Sequence, residues 1–200
     1  TTHPNMKFYS QASQRSGGEQ VGRILEVGTY EGHTTAYLSR VFPESRILTL
    51  DLPLEDEDFV RTYGRGPRQR EIADLRKQNL SGISQVSSLE ANSLSLMRDF
   101  GRYDLIWLDG NHGCPVVVMD IVNALNLLSP AGFLLVDDVF VGLRPWQLDS
   151  DYTSEASYET LERLSEVGLV EFELCLKRLD DRNNIDTRFA KNIAIVRRTF

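Results

Sequence analysis

The chain alternates short, unbroken apolar runs with longer amphipathic stretches. Residues 23–28 (RILEVG), 45–51 (SRILTLD), 103–110 (YDLIWLDG) and 131–139 (AGFLLVDDV) read as buried strands. Residues 84–90 give a weaker strand, and 169–176 and 190–197 give two more. Helical spacing fills the intervals at 32–42, 67–79, 93–100, 116–128 and 154–167. Continuous Val, Ile and Leu runs alternating with helices predict a largely parallel sheet covered on both faces. The last two strands are joined by a polar loop with no crossover helix, so they are expected to pair as an antiparallel hairpin at the sheet's edge. The expectation is a single doubly wound α/β domain over residues 1–200 with seven strands. Residues 52–67 (LPLEDEDFVRTYGRGP) read as an irregular insertion, and 140–152 (FVGLRPWQLDSDY) as a loop.

Composition narrows the class. Hydrophobic residues make up 41% and charged residues 26% of the chain, as in an ordinary globule. A net charge of -7 argues against a general nucleic-acid binder. No apolar run approaches the roughly 20 residues a membrane span needs, and the N-terminus lacks the apolar core of a signal peptide. The chain opens abruptly on Thr1, which leads us to expect a longer native N-terminus, with residues 1–20 forming part of a lid. Cys114 and Cys175 are far apart in sequence and are expected to be buried, unpaired thiols in a reducing, cytoplasmic compartment.

In open parallel sheets, ligands bind beyond the carboxyl ends of the strands. The residues at those ends are Gly28 to Gly32, Asp51, Ala91 to Ser93, Asp109 to His112, and Asp137 with Asp138. Strand after strand ends on a polar or acidic residue. A glycine turn with an acid after the next strand fits two cofactor classes. A dinucleotide needs G-x-G-x-x-G for its pyrophosphate, and Tyr30 stands where the middle glycine belongs. A nicotinamide oxidoreductase is therefore disfavoured. S-adenosylmethionine carries no phosphate and needs only a close turn. Asp51 is then expected to accept hydrogen bonds from both ribose hydroxyls.

These motifs carry a family resemblance. LEVGTYEGHTT resembles the first motif of class I S-adenosylmethionine-dependent methyltransferases, and LTLD their second. YDLIWLDGNH and LLSPAGFLLVDDV resemble strand motifs of metal-dependent small-molecule O-methyltransferases, the catechol type and the macrolide or aminocoumarin sugar type. The resemblance spans about residues 20 to 140 and implies a Rossmann-like fold. It implies that Glu26 faces the methionine ammonium and that Gly28 makes the close backbone contact. Thr29 and Gly32 belong to the same turn, and Tyr30 and Thr34 match positions at the methionine end. Asp51 matches the ribose acid, and Asn92 and Ser93 the adenine contacts, with Asn92 replacing the commoner Asp.

The resemblance also maps a metal site onto Asp109, Asp137 and Asp138. Three converging carboxylates repel one another unless a cation joins them, and oxygen ligands suit Mg²⁺. A divalent ion would lower the pKa of an acceptor hydroxyl and aim it at the methyl group. On a regular strand the adjacent Asp137 and Asp138 would point apart, so their convergence requires strand geometry to fail there. His112 lies three residues after Asp109, where catechol-type enzymes keep a catalytic lysine, and is the expected base.

The sequence thus leads to methyl transfer from S-adenosylmethionine to a hydroxyl of a small molecule, with a vicinal diol suited to chelating the ion, and leaves room for a homo-oligomer. The rival readings are a metal-independent methyltransferase with a nitrogen or other acceptor, and a non-catalytic cofactor-binding relative. Arg61, Arg65, Arg68 and Arg70 crowd the insertion, which reads as a solvated loop, with a lid over an anionic substrate as the alternative.

Overall fold

A computed structural model describes residues 21–61, 65–95, 101–143, 154–178 and 189–200. The chain runs β1 (Arg23–Val27), α1 (His33–Val41), β2 (Arg46–Asp51), α2 (Glu57–Arg61), α3 (Gln69–Leu80), β3 (Val86–Glu90) and β4 (Tyr103–Leu108). It continues through α4 (Val116–Leu127), β5 (Leu128–Val139), α5 (Ala156–Glu166), β6 (Val170–Arg178) and β7 (Lys191–Arg198). The strands form one sheet in the order β3-β2-β1-β4-β5-β7-β6.

β1 lies inside the sheet and pairs in parallel with both β2 and β4. The chain winds outward through β2 and β3, then returns to the other side of β1. Strand order therefore reverses between β1 and β4, and a crevice opens at their carboxyl ends. The hairpin of β6 and β7 forms antiparallel as expected. Its second strand, β7, slots against β5, so β6 is the edge and runs in the same direction as β5.

Both faces of the inner strands β1, β4 and β5 are buried, which is why those strands are largely apolar, whereas β3 and β6 expose polar residues. Leu25, Ile106 and Leu134 face one way, against Ile121, Ala124 and Leu161 of α4 and α5. Ile24, Leu105 and Phe133 face the other way, with Leu38 of α1. The alternation follows the two-residue period of a strand.

Several local expectations change. The insertion at 52–67 is not irregular throughout. It carries α2, which buries Phe59, and a single 3₁₀ turn at Gly66–Arg68. The one aromatic in an acidic run pulls that run onto the domain. Of the helix expected at 93–100, a 3₁₀ turn at Ser93–Ser95 is described, and residues 96–100 lie outside the described residues. β5 starts at Leu128, earlier than expected, because Leu128 is itself fully buried beside Tyr103. Cys114 is exposed rather than buried, since it sits in the turn before α4, and Cys175 is half-buried; both are free thiols. The expected lid at 1–20 lies outside the described residues, as do Trp146 and Tyr152 of the 140–152 loop, while Phe140 is buried. Among the described residues, no helix is long and apolar enough to cross a membrane.

Candidate active site

The turn after β1 is built by its neighbours. Gly28 has φ 100°, and a Cβ there would lie 2.1 Å from the carbonyl oxygen of Asp109. No side chain fits that gap, so the backbone at the end of β4 demands the glycine, whatever else the turn holds. The Gly28 N–H continues the ladder to Leu50 O at 2.8 Å, and the Asp109 N–H reaches Val27 O at 2.8 Å. Tyr30 also takes a positive φ, 47°. Its N–H donates to Asp51 Oδ2 at 2.7 Å, and its carbonyl accepts from Arg76 Nε at 2.6 Å. Gly32, at φ 79°, starts α1 and packs against Leu80.

Asp51 closes β2 beside this turn. Its Oδ2 accepts from the Tyr30 N–H and from Arg76 Nη2 at 2.9 Å, and its Oδ1 accepts from the Leu52 N–H at 2.9 Å. A carboxylate has about four acceptor positions. Three are taken among the described residues, which leaves room for one ribose hydroxyl rather than both. Arg76, arriving from α3, is the reason.

Two recesses lie over the strand ends. One is lined by Asp51, Asn92, Ser93 and Asp120. The other is lined by Thr29, Thr34, His112, Asp138 and Lys191. Gly28, Tyr30, Arg65, Asp109 and Gly110 line both, so they are two ends of one cleft. The structure thus gathers most of the expected site residues around a single opening.

Glu26 and Asp137 do not line the cleft but lie beneath it. Glu26 is fully buried. Its Oε2 accepts from the hydroxyls of Thr35 and Thr49, and its Oε1 is buried without a partner among the described residues. Burial pushes its pKa up to about 8 against the pull of those hydroxyls, and the charges of Asp109 and Asp51 add to the rise. Glu26 therefore stands under the turn rather than facing a ligand across the opening.

The sequence reading missed Asp120. It lies on the apolar helix α4, is 5% exposed, and its Oδ1 has no partner among the described residues. Burial pushes its carboxyl up to about 6, partly offset by the Ser93 hydroxyl and His112. A lone carboxylate on a core-facing helix stripe is the signal that could have found it. Two of the crowded arginines, Arg65 and Arg68, are anchored to the turn, while Arg61 pairs with Asp58. Arg65 stacks 4.7 Å from the Tyr30 ring and 4.8 Å from the Phe59 ring. Arg68 donates to the Tyr30 hydroxyl and to Glu31, both at 3.0 Å.

The acidic cluster at the other end differs most from expectation. His112 Nε2 is 3.5 Å from Asp109 Oδ1. Burial lowers the His112 pKa, but the Asp109 hydrogen bond and the charges of Asp109, Asp138 and Asp137 outweigh it and leave it raised. Asp137 and Asp138 are engaged by lysines the sequence reading did not consider. Lys177 Nζ donates to Asp137 Oδ2 at 2.6 Å and to Asp138 Oδ1 at 3.1 Å, and Lys191 Nζ donates to Asp138 Oδ2. Burial and the charge of Asp109 raise Asp137 to about 6 against the pull of Lys177. Burial would also raise Asp138, yet Lys177, His112 and Lys191 hold it down at about 2. Among the described residues, no group of three or more His, Cys, Asp or Glu is arranged to hold a metal ion. Asp109, Asp137 and Asp138 therefore do not fit a divalent ion as arranged, because ammonium groups bind Asp137 Oδ2 and both oxygens of Asp138, and Asp137 Oδ1 accepts from the Asp138 N–H.

Comparison with known proteins agrees with this fold. A family model described as a methyltransferase domain matches residues 25–139, from β1 to the end of β5. Catechol O-methyltransferase of Mycobacterium tuberculosis is 25% identical over 154 residues, 76% of this chain, and the match spans 63% of that relative's length. Among solved structures, the O-methyltransferase TomG of Streptomyces achromogenes, in complex with S-adenosylmethionine, superposes with a TM-score of 0.64 at 20% identity. That match covers 100% of this chain and 82% of TomG. An O-methyltransferase of Bacillus cereus has a TM-score of 0.60 at 17% identity over 98% of this chain and 81% of its own. At such identities the structures speak for the fold. With the family model covering more than half its length, this chain belongs to the methyltransferase domain family.

Proposed function

We propose that this chain moves a methyl group from S-adenosylmethionine to a hydroxyl of a small molecule, without a divalent ion. One observation carries the reading: Asp51 and Asp109, at the ends of β2 and β4, face the same cleft across the Gly28–Tyr30 turn. The cofactor's demands match that end of the cleft. Asp51 keeps one acceptor position for a ribose hydroxyl, and the buried, unpartnered Asp120 Oδ1 beside Ser93 can accept from an adenine amine. The sulfonium, when bound, supplies an activated methyl group.

The rest of the work falls to this chain's side chains. Asp109 lines both recesses and keeps His112 oriented through its 3.5 Å contact. His112 lines the acceptor end and is the group placed to take the hydroxyl proton. The insertion walls the cofactor end, with Phe59 and Arg65 beside Tyr30. The relative named for catechol methylation and the O-methyltransferases among the structural neighbours support an oxygen acceptor. A vicinal diol is not required where no ion needs two ligands. The exposed thiol of Cys114 suits a reducing, cytoplasmic setting.

The test is calorimetry with S-adenosylhomocysteine on the parent and on Asp51→Ala, joined to S-adenosylhomocysteine release with catechol as the probe acceptor. The parent is expected to bind and turn over, and the variant to bind far more weakly. A folded parent that binds no S-adenosylhomocysteine would overturn the reading.

A further inference from the structure

The acid pair at the end of β5 receives its counter-charge from the chain itself. On a regular strand, Asp137 and Asp138 would face opposite sides of the sheet. Between Val136 and Val139, however, β5 carries one more residue than β7, and Asp138 takes φ 49°. β6 likewise carries one extra residue, Lys177, between Leu176 and Arg178. Two irregularities thus flank β7, and devices of this kind re-aim side chains. Here they bring both carboxylates onto one ammonium. Lys177 Nζ bridges Asp137 and Asp138 at 2.6 and 3.1 Å. Lys191, from the first position of β7, binds the remaining oxygen of Asp138 and lies 5.7 Å from the centre of the Phe140 ring. Lys191 also lines the cleft beside Asp109 and His112.

We propose that Lys177 and Lys191 are the fixed cations of the acceptor end, standing where a metal-assisted relative would hold a divalent ion. Lys177 locks the acid pair, and Lys191 presents its charge to the electron-rich oxygen of the acceptor. An ammonium supplies charge and N–H donors but no open coordination positions, so it does not chelate a diol. The acceptor class that follows has a single reacting hydroxyl or phenol oxygen held by one cation, rather than two oxygens gathered on an ion. The proposal rests on the methyl-transfer reading above and specifies how its acceptor is held.

Mn²⁺ titration by calorimetry and electron paramagnetic resonance, on protein saturated with S-adenosylhomocysteine, tests it. The parent is expected to show no saturable Mn²⁺ binding. Lys177→Met/Lys191→Met, which frees the carboxylates, is expected to gain a site at least about tenfold tighter than any parent binding. Lys191→Met alone provides a milder version should the double variant fold poorly, and retained S-adenosylhomocysteine binding verifies the fold of each. Saturable Mn²⁺ binding by the parent, lost in Asp137→Asn, would overturn the proposal. So would lysine variants that bind S-adenosylhomocysteine but gain no Mn²⁺ site, since the acid pair would then be no cation position. Failure of the parent to bind S-adenosylhomocysteine counts instead against methyl transfer itself, so the two readings fall separately.

Discussion

The two ends of the cleft are assembled in different ways. The cofactor end is centred on one turn, Gly28 to Gly32, and one acid, Asp51, joined by the Tyr30 N–H and by Arg76, with Ser93 and Asp120 added beside them. The acceptor end draws on β4, β5, β6 and β7, and its acids meet their partners 39, 40 and 53 residues away. The first end is a motif. The second exists only once the sheet has closed and two irregularities have set the register. A motif announces that a site exists, and long-range assembly decides which chemistry it runs.

The largest expected effect breaks the joint between the two ends. Gly28→Ala would press a methyl group onto the Asp109 carbonyl at a positive φ. It should cost more than about 3 kcal/mol, read as a lower urea midpoint. A midpoint within error of the parent would show that the ends are not locked together.

Next in size is Asp51→Ala, which disturbs only the cofactor end. It strips Arg76 of a half-buried partner and loosens Tyr30. S-adenosylhomocysteine affinity should fall about a hundredfold by calorimetry. An equal loss of thermal stability at saturating ligand would make the role structural rather than binding.

Glu26 beneath the turn gives a pH signature in the unliganded protein. The folded chain holds its proton up to about pH 8, whereas the unfolded chain releases it near 4.5. The stabilisation is therefore complete below pH 4.5 and is lost as pH rises towards 8, by at most about 1.4 kcal/mol per unit. Melting temperature followed across that window should fall in the parent and stay flatter in Glu26→Gln. Parallel curves for the two proteins would place the titration elsewhere.

The smallest expected effect sharpens the cofactor end. Asp120→Asn keeps one acceptor oxygen, so S-adenosylhomocysteine should bind only about fivefold more weakly at pH 8. Below pH 6 the gap should narrow, because Asp120 is then itself protonated. An unchanged affinity at pH 8 would remove Asp120 from the recognition of the base.

The fold is legible because the inner strands, buried on both faces, read as short unbroken apolar runs between helical stretches. The sheet's strands and the antiparallel hairpin follow from that alone. The position of β7 inside the hairpin does not, because strand order depends on contacts that no local pattern encodes. Gly28 and Asp51 were visible for the same reason the motif is, namely that they lie beside each other along the winding. What the motif does not reveal is that the neighbour of Gly28 inside the fold is the carbonyl of Asp109. Lys177 and Lys191 look like ordinary polar residues of edge-type strands in sequence. Only a strand that gains one residue relative to its partner turns Lys177 towards the acids. Phe59 was the overlooked clue to α2, as Asp120 was to the buried side of α4.

Register carries one last consequence. Side chains on a strand trade faces with every one-residue slip. Deleting one residue from β6 beside Leu176 would send the position of Lys177 to the opposite face and leave the buried Asp137 without its ammonium partner. A site of this construction can exchange a tethered counter-ion for a diffusible one without altering any acid, by the loss of a single residue on a neighbouring strand.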